Sequence, residues 1–152
     1  MNPTMRDAGA FHAARYGSTS TLTAAGTGDN TEVNADAIDR RGFQSVTVYL
    51  GFTATLAATK TLTLSGNLQD CSDLAGTGAA DFGDALPATI VATGPGGGGV
   101  VKGTVRLGNF NLGMARTHIR AQYTPDLSAS GTDTATVWLI YVLGGAEKLP
   151  AV

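Results

Sequence analysis

The stretch Thr132 to Leu143, TDTATVWLIYVL, decides the fold class. Its residues are mostly β-branched, aromatic or aliphatic, the types that suit a pleated and half-buried surface. It closes a chain built of similar segments separated by Gly, Ser, Thr and Asp. Its setting places Trp138, the only tryptophan, in the core. The apolar run Ala135 to Leu143 is far shorter than the roughly 20 residues of a membrane-spanning helix, so no membrane partner is expected.

The same period of two recurs upstream. Phe43 to Phe52 (FQSVTVYLGF) sets Val46, Val48 and Leu50 against Ser45, Thr47 and Tyr49, which places one apolar set inside. Lys60 to Asp70 (KTLTLSGNLQD) puts Leu62, Leu64, Gly66 and Leu68 on one face. It is expected to pair with the preceding strand through a connection at Thr53 to Thr59. Gly66 in mid-strand marks a bulge or a close backbone approach.

Ser18 to Ala25 reads as a weaker first strand, followed by a turn at Gly26 to Asp29. Asp73 to Gly83 reads as a loop with a short strand, and Pro87 breaks the chain before a strand at Ala88 to Thr93. Gly94 to Gly99 (GPGGGG) is a flexible loop, and Val100 to Leu107 and Ala115 to Tyr123 are further strands. About seven or eight strands, no long amphipathic helix and connections too short for parallel crossovers predict an all-β fold. The expected architecture is an antiparallel two-sheet sandwich, jelly-roll-like.

At 152 residues the chain is of single-domain size. A single β-sandwich domain is expected over 18–152, preceded by an N-terminal arm over 1–17. Met5 to Tyr16 mixes basic and aromatic side chains, as a helical turn or an extended arm. Arg6, Phe11, His12, Arg15 and Tyr16 are candidate partner-binding residues, because an exposed aromatic beside arginine is the composition of an interface anchor. The alternative is a terminus folded back to cap the sandwich.

Charged residues make up 14% of the chain, against about 25% in ordinary soluble domains. A surface this poor in charge is expected to be covered in part by a partner or by copies of the chain itself. A net charge of −2 and ten Lys and Arg without a basic block argue against a nucleic-acid partner. The single cysteine, Cys71, excludes an intrachain disulfide and fits assembly in a reducing cytosol. The N-terminal residues lack the apolar core of a secretory signal.

Catalytic patterns are missing, and no enzymatic activity and no cofactor are expected. GPGGGG is not followed by the Gly-Lys-Ser/Thr of a phosphate loop. His12 and His118 are the only histidines, with neither a His-x-x-x-His spacing nor a nucleophile elbow. Asp29, Asn30, Glu32, Asn34 and Asp36 form the densest group of oxygen ligands but lack the spacing of a calcium loop, and turn chemistry accounts for them. Paired carboxylates for glycosidic cleavage have no support among Asp70, Asp73, Asp81 and Asp84.

The run Ile38 to Val48 (IDRRGFQSVTV), the strand Thr61 to Leu64, the acidic Asp70 to Asp73 segment, Val105 to Gly108 and Thr117 to Arg120 resemble small structural proteins of tailed bacteriophages, with capsid decoration (cement) proteins the nearest class. The resemblance spans about residues 36–143. It implies a small β-sandwich on the exterior of an icosahedral capsid, made in the bacterial host cytoplasm. Such a protein bridges neighbouring subunits of the major capsid protein and associates with itself as a homodimer or homotrimer. Contacts are expected first from the arm and second from Gly96, Gly97 and Gly98. The alternatives are a tail or head-completion component, or a carbohydrate-binding or adhesin module. With one Trp and four Tyr, the last is expected to offer little stacking surface.

Overall fold

The computed structural model describes residues 8–129 and 131–148. A 3-10 turn at Ala8–Phe11 leads into ten strands: β1 (Ala13–Thr23), β2 (Val33–Asn34), β3 (Ile38–Asp39), β4 (Ser45–Leu56), β5 (Thr61–Cys71), β6 (Ala80–Asp81), β7 (Leu86–Thr93), β8 (Gly99–Asn111), β9 (His118–Leu127) and β10 (Thr134–Gly144). They form two antiparallel sheets. The four-stranded sheet runs β1-β10-β4-β8, and the six-stranded sheet runs β2-β9-β5-β6, with β3 also on β9 and β7 also on β5.

The short strands complete the pattern. Val33 and Asn34 pair with Tyr123 and Gln122, and Ile38 and Asp39 pair with Ile119 and His118. β2 and β3 are therefore two pieces of one interrupted edge strand, and β6 and β7 share the other flank of β5 in the same way. Counting each pair once gives eight positions, ordered 1-8-3-6 and 2-7-4-5, the arrangement of a jelly roll built from two Greek keys. The sequence expectation of seven or eight strands matches this count.

The core lies between the sheets and is built by strand alternation. Val46, Val48, Leu50, Phe52, Ala54 and Leu56 of β4 face inward, as do Leu62, Leu64 and Leu68 of β5. This corrects one sequence expectation, because β4 and β5 do not pair. Each carries a continuous apolar face, and both faces are buried by lying opposite one another in different sheets. The turn after Leu56 carries the chain across, held by buried Asp133, whose carboxylate oxygens accept from the Ala57 N–H at 3.0 and 3.1 Å.

A second correction concerns Trp138. In β10 the buried set is Ala135, Val137, Leu139, Tyr141 and Leu143, so the period of two sends Trp138 to the outer face, where it is half-buried. There its indole covers Gly51 of β4, where an added Cβ would lie 2.3 Å from the ring. The large cost of truncating a core aromatic therefore does not apply at this position.

Two other sequence expectations meet the structure directly. At Gly66 the register of β5 against β7 shifts, and an added Cβ would lie 2.5 Å from the Gln122 carbonyl oxygen. Pro87 lies inside β7 and not before it, at the same shift, on an edge strand where its missing N–H costs no ladder bond. The division drawn at Gly17 falls inside β1. Ala13 to Tyr16 already pair with Leu143 to Ile140, and Gly17 is a bulge where a Cβ would lie 2.4 Å from Leu139 Cδ2.

Two tyrosines pin the sheets together in opposite directions. Tyr141 of β10 accepts from the Ala121 N–H of β9 at 2.7 Å and donates to the Asp36 carbonyl at 3.1 Å. Tyr123 of β9 reaches back to β1, donating to Ser20 Oγ at 3.0 Å, with Ser18 Oγ at 3.3 Å.

Candidate interaction surface

Apart from Tyr16, which lies on the outer face of the four-stranded sheet level with Tyr49, the sequence candidates divide between the two ends of the sandwich. Phe11 and His12 lie at the end where β1 and β4 begin, with His12 beside Gly144. Arg15 is half-buried in a cleft with Ile38, Asp39, Arg41, Phe43 and Leu74. Arg6 lies outside the described residues. Gly96, Gly97 and Gly98 lie at the opposite end, where Leu56 pairs with Gly99. The twelve residues of β4 separate the two groups by ~35 Å at the usual strand rise. They cannot form one site.

The glycine turn is anchored and open at once. Gly94 donates to the Lys60 carbonyl at 2.8 Å, its own carbonyl accepts from the Thr59 N–H at 3.1 Å, and Gly98 closes on the Pro95 carbonyl at 2.8 Å. Gly96 and Gly97 have no atom within 4 Å of an added Cβ, so the tip projects into solvent.

At the arm end the loops are fixed by charge. Arg116 donates to both carboxylate oxygens of Asp70 (Nη2–Oδ1 2.7 Å) and to the Gly78 carbonyl, tying the loop after β5 to the loop after β8. The Asp70 carboxyl is held below its ordinary 3.8 chiefly by the hydrogen bond from Arg116. A depressed folded-state pKa stabilises the fold above the unfolded value and loses that stabilisation as the pH falls through the folded value. Asp70 is only 13% exposed, so the effect is little screened. Asp70→Asn is expected to be less stable than the parent at neutral pH, with the difference shrinking below about pH 4. Chemical denaturation across that range measures it, and a pH-independent difference would contradict it.

Beside this cluster, Cys71, His118 and Asp39 are cross-strand neighbours on β5, β9 and β3, the residue types of a thiol nucleophile, its base and an orienting carboxylate. Their bonding does not assemble that machinery. The Cys71 thiol is fully buried, donates to the Asp73 carbonyl at 3.4 Å and is pushed up in pKa by desolvation. Asp39 is bound to Arg41 at 2.5 Å and lowered to about 2, and His118 Nδ1 lies 3.0 Å from Thr117 Oγ1. The side chains of Asp29, Glu32 and Asn34 in the 29–36 segment are likewise engaged. Asp29 accepts from the N–H groups of Ala25 and Leu127, and Glu32 and Asn34 accept from Gln122.

The outer faces of the sheets differ sharply. On the six-stranded sheet the polar side chains satisfy one another. Arg120 donates to Gln69, Gln69 to Asp81 and Gln122, Gln122 to Glu32 and Asn34, and Asn67 to Asp81. On the four-stranded sheet the side chains form cross-strand rows over β1, β10, β4 and β8. One row holds Tyr16, Ile140, Tyr49 and Arg106, and the next holds Thr19, Trp138, Gly51 and Thr104. Beyond them come Thr21, Thr136, Thr53 and Lys102, then Thr23, Thr134, Thr55 and Val100.

These rows hold no carboxylate. Tyr16 is 60% exposed and Tyr49 39%, and with half-buried Trp138 they put three aromatic rings on one surface. The expectation of little stacking surface is corrected here. Alternation assigns Tyr16, Tyr49 and Trp138 to one side of their strands, but only the cross-strand register shows that they are neighbours.

No family model matches the chain, and no curated protein sequence matches it. Among solved structures it is similar to a structure of infectious bursal disease virus Gt strain, with TM-score 0.46 and 11% identity over 93% of this chain and 35% of that one. It is similar to the VP2 subviral particle of infectious bursal disease virus, with TM-score 0.43 and 8% identity over 91% and 34%. It is also similar to TmCBM61 in complex with beta-1,4-galactotriose, with TM-score 0.37 and 10% identity over 90% and 92%. The chain spans about a third of the length of the two viral chains. Likenesses at these scores carry no argument about function, and the sandwich assignment rests on the strand pairing itself.

Proposed function

We propose that the protein is a structural virion protein that binds the exterior of an icosahedral bacteriophage capsid and stabilises it by bridging neighbouring major capsid subunits. The observation that supports this most is the separation of its two candidate contact groups. Residues 8–12 and the glycine turn sit at opposite ends of one hydrogen-bonded sandwich, and a bridge needs two contacts held at a fixed distance. Many modest contacts repeated over a lattice stabilise a shell without any single tight site. The low-charge chain also suits self-association as a dimer or trimer. In this reading the protein is not an enzyme, takes no cofactor, and is made in the host cytoplasm before it joins the particle.

The test is co-sedimentation with mature capsids on a density gradient, with copies counted per particle. Saturable binding at a fixed multiple of the lattice is expected. Deleting residues 1–12, or replacing Gly96 and Gly97 with bulkier residues, is expected to leave the sandwich folded and weaken binding about tenfold or more, since each removes one arm of a two-point attachment. Absence of binding, or a ring oligomer that ignores capsids, would contradict the proposal and favour a tail or head-completion role.

A further inference from the structure

We propose that the outer face of the four-stranded sheet is a binding platform for an acidic polysaccharide, with Tyr16, Trp138 and Tyr49 stacking against sugar rings and Arg106 and Lys102 pairing with the sugar carboxylates. This goes beyond capsid attachment and does not depend on it, because the contact groups of that reading lie mainly at the ends of the sandwich.

The rings are arranged for stacking. Tyr16 and Tyr49 share one cross-strand row two strands apart, ~10 Å at the usual strand spacing. Trp138 lies in the next row, between them in strand order. Gly51 is what lets the indole settle on the sheet, since a Cβ there would lie within 2.6 Å of three of its ring atoms. Tyr16 is held by its hydroxyl donating to Thr19 Oγ1 at 2.9 Å, which limits the side-chain freedom lost on binding. An extended pyranose chain laid across the strands would meet the three rings in turn, and the flanking threonines offer hydroxyl donors and acceptors for its hydroxyl groups.

The charge selects the ligand class. Arg15, Arg40, Arg41, Arg116 and Arg120 all donate hydrogen bonds. Arg106 is the one arginine of the described residues whose side chain makes none, and it stands directly opposite Tyr49. Lys102 lies further along the same strand and forms no ion pair among the described residues. The rows hold two cations without an ion pair among the described residues and no carboxylate, Asp84 lining the cleft beside Arg106, although the whole chain is net −2. A second copy docking through the same face would bring cations with no counter-charge, so self-pairing is disfavoured there. On the opposite face of the sandwich, Arg120, Gln69, Gln122, Asn67, Asp81, Glu32 and Asn34 are already engaged with one another.

The experiment immobilises the polyuronates alginate and polygalacturonate beside neutral dextran and cellohexaose, with polyglutamate as an acidic polymer lacking sugar rings. Binding of the full chain is measured at physiological and raised salt. In solution, the fluorescence of Trp138, the sole tryptophan, reports contact at the platform.

The expected result is saturable binding to a polyuronate, a change in Trp138 emission, and little binding to polyglutamate. Tyr16→Ala and Tyr49→Ala are each expected to weaken binding about tenfold, the upper end of a single aromatic contact. Arg106→Gln is expected to remove the preference for acidic over neutral glycans. Each variant side chain lies on the outer face, and thermal melting checks that the fold is kept. Binding to no polysaccharide would overturn the inference. So would equal binding to polyglutamate with both tyrosine variants unaffected, which would mark a bare charge effect. Capsid co-sedimentation is measured separately, so failure of one reading leaves the other standing.

Discussion

Tyr141→Ala is expected to lower the unfolding free energy by about 3–5 kcal/mol, the usual cost of truncating a fully buried aromatic. Tyr141 has no exposed surface, and its ring fills the layer between the sheets. Its hydroxyl also connects β9 to the segment ahead of β3 through the Ala121 N–H and the Asp36 carbonyl. Tyr141→Phe keeps the ring and removes only those bonds. It is expected to cost about 1–3 kcal/mol, because a buried donor and acceptor lose their partner. Against a typical domain stability of about 5–15 kcal/mol, the alanine variant loses a large share. Burial pushes the Tyr141 phenol well above its ordinary pKa of 10.0, so it should resist alkaline titration until the protein unfolds. Urea unfolding of the three proteins measures the differences, and a phenylalanine variant as stable as the parent would show that the hydroxyl does not pin the sheets.

Gly66→Ala is expected to destabilise by about 1–3 kcal/mol, the usual range for overpacking, through a single added methyl group. That carbon would lie 2.5 Å from the Gln122 carbonyl oxygen, 3.0 Å from Leu107 Cδ1 and 3.1 Å from Tyr123 Cβ. The carbonyl has little room to retreat, because β9 is clamped between β2 on one side and β5 on the other. Gly96→Ala is the matched control. Nothing lies within 4 Å of its added Cβ, and a surface change of that kind stays within about 0.5 kcal/mol. Equal melting temperatures for the two variants would contradict the close approach at Gly66.

The sandwich was legible because alternation is local. Val46, Val48 and Leu50 declare one face of β4 without reference to any partner, and Gly66 announces a tight spot inside an otherwise apolar strand. Strand partners are not local. β4 and β5 read as a hairpin because they are adjacent in sequence with a short connection, yet each needs its apolar face covered, and crossing between sheets covers both. Trp138 reads as core because an unbroken run, VWLIYV, hides the period of two. With every residue apolar, only the partner strand shows which side faces water.

The candidate surface was less legible still. Arg15 and Tyr16 carried a signal as an aromatic beside a cation, but their assignment to an arm missed that β1 already begins at Ala13. Tyr16, Trp138, Tyr49 and Arg106 are scattered between positions 16 and 138 of the sequence and meet only through the register of four strands. No spacing rule within a single strand could bring them together. The split between a self-satisfied face and an uncommitted one also depends on side-chain pairing, which composition averages away.

The central claim is that the sandwich bridges capsid subunits through its two ends. The most direct measurement is an electron cryomicroscopy reconstruction of capsids saturated with the protein. The account expects a sandwich-sized density at every equivalent lattice position, with the 8–12 segment against one major capsid subunit and the 94–98 turn against its neighbour. Density touching the shell through one end alone, or capsids left bare at saturating protein, would contradict it.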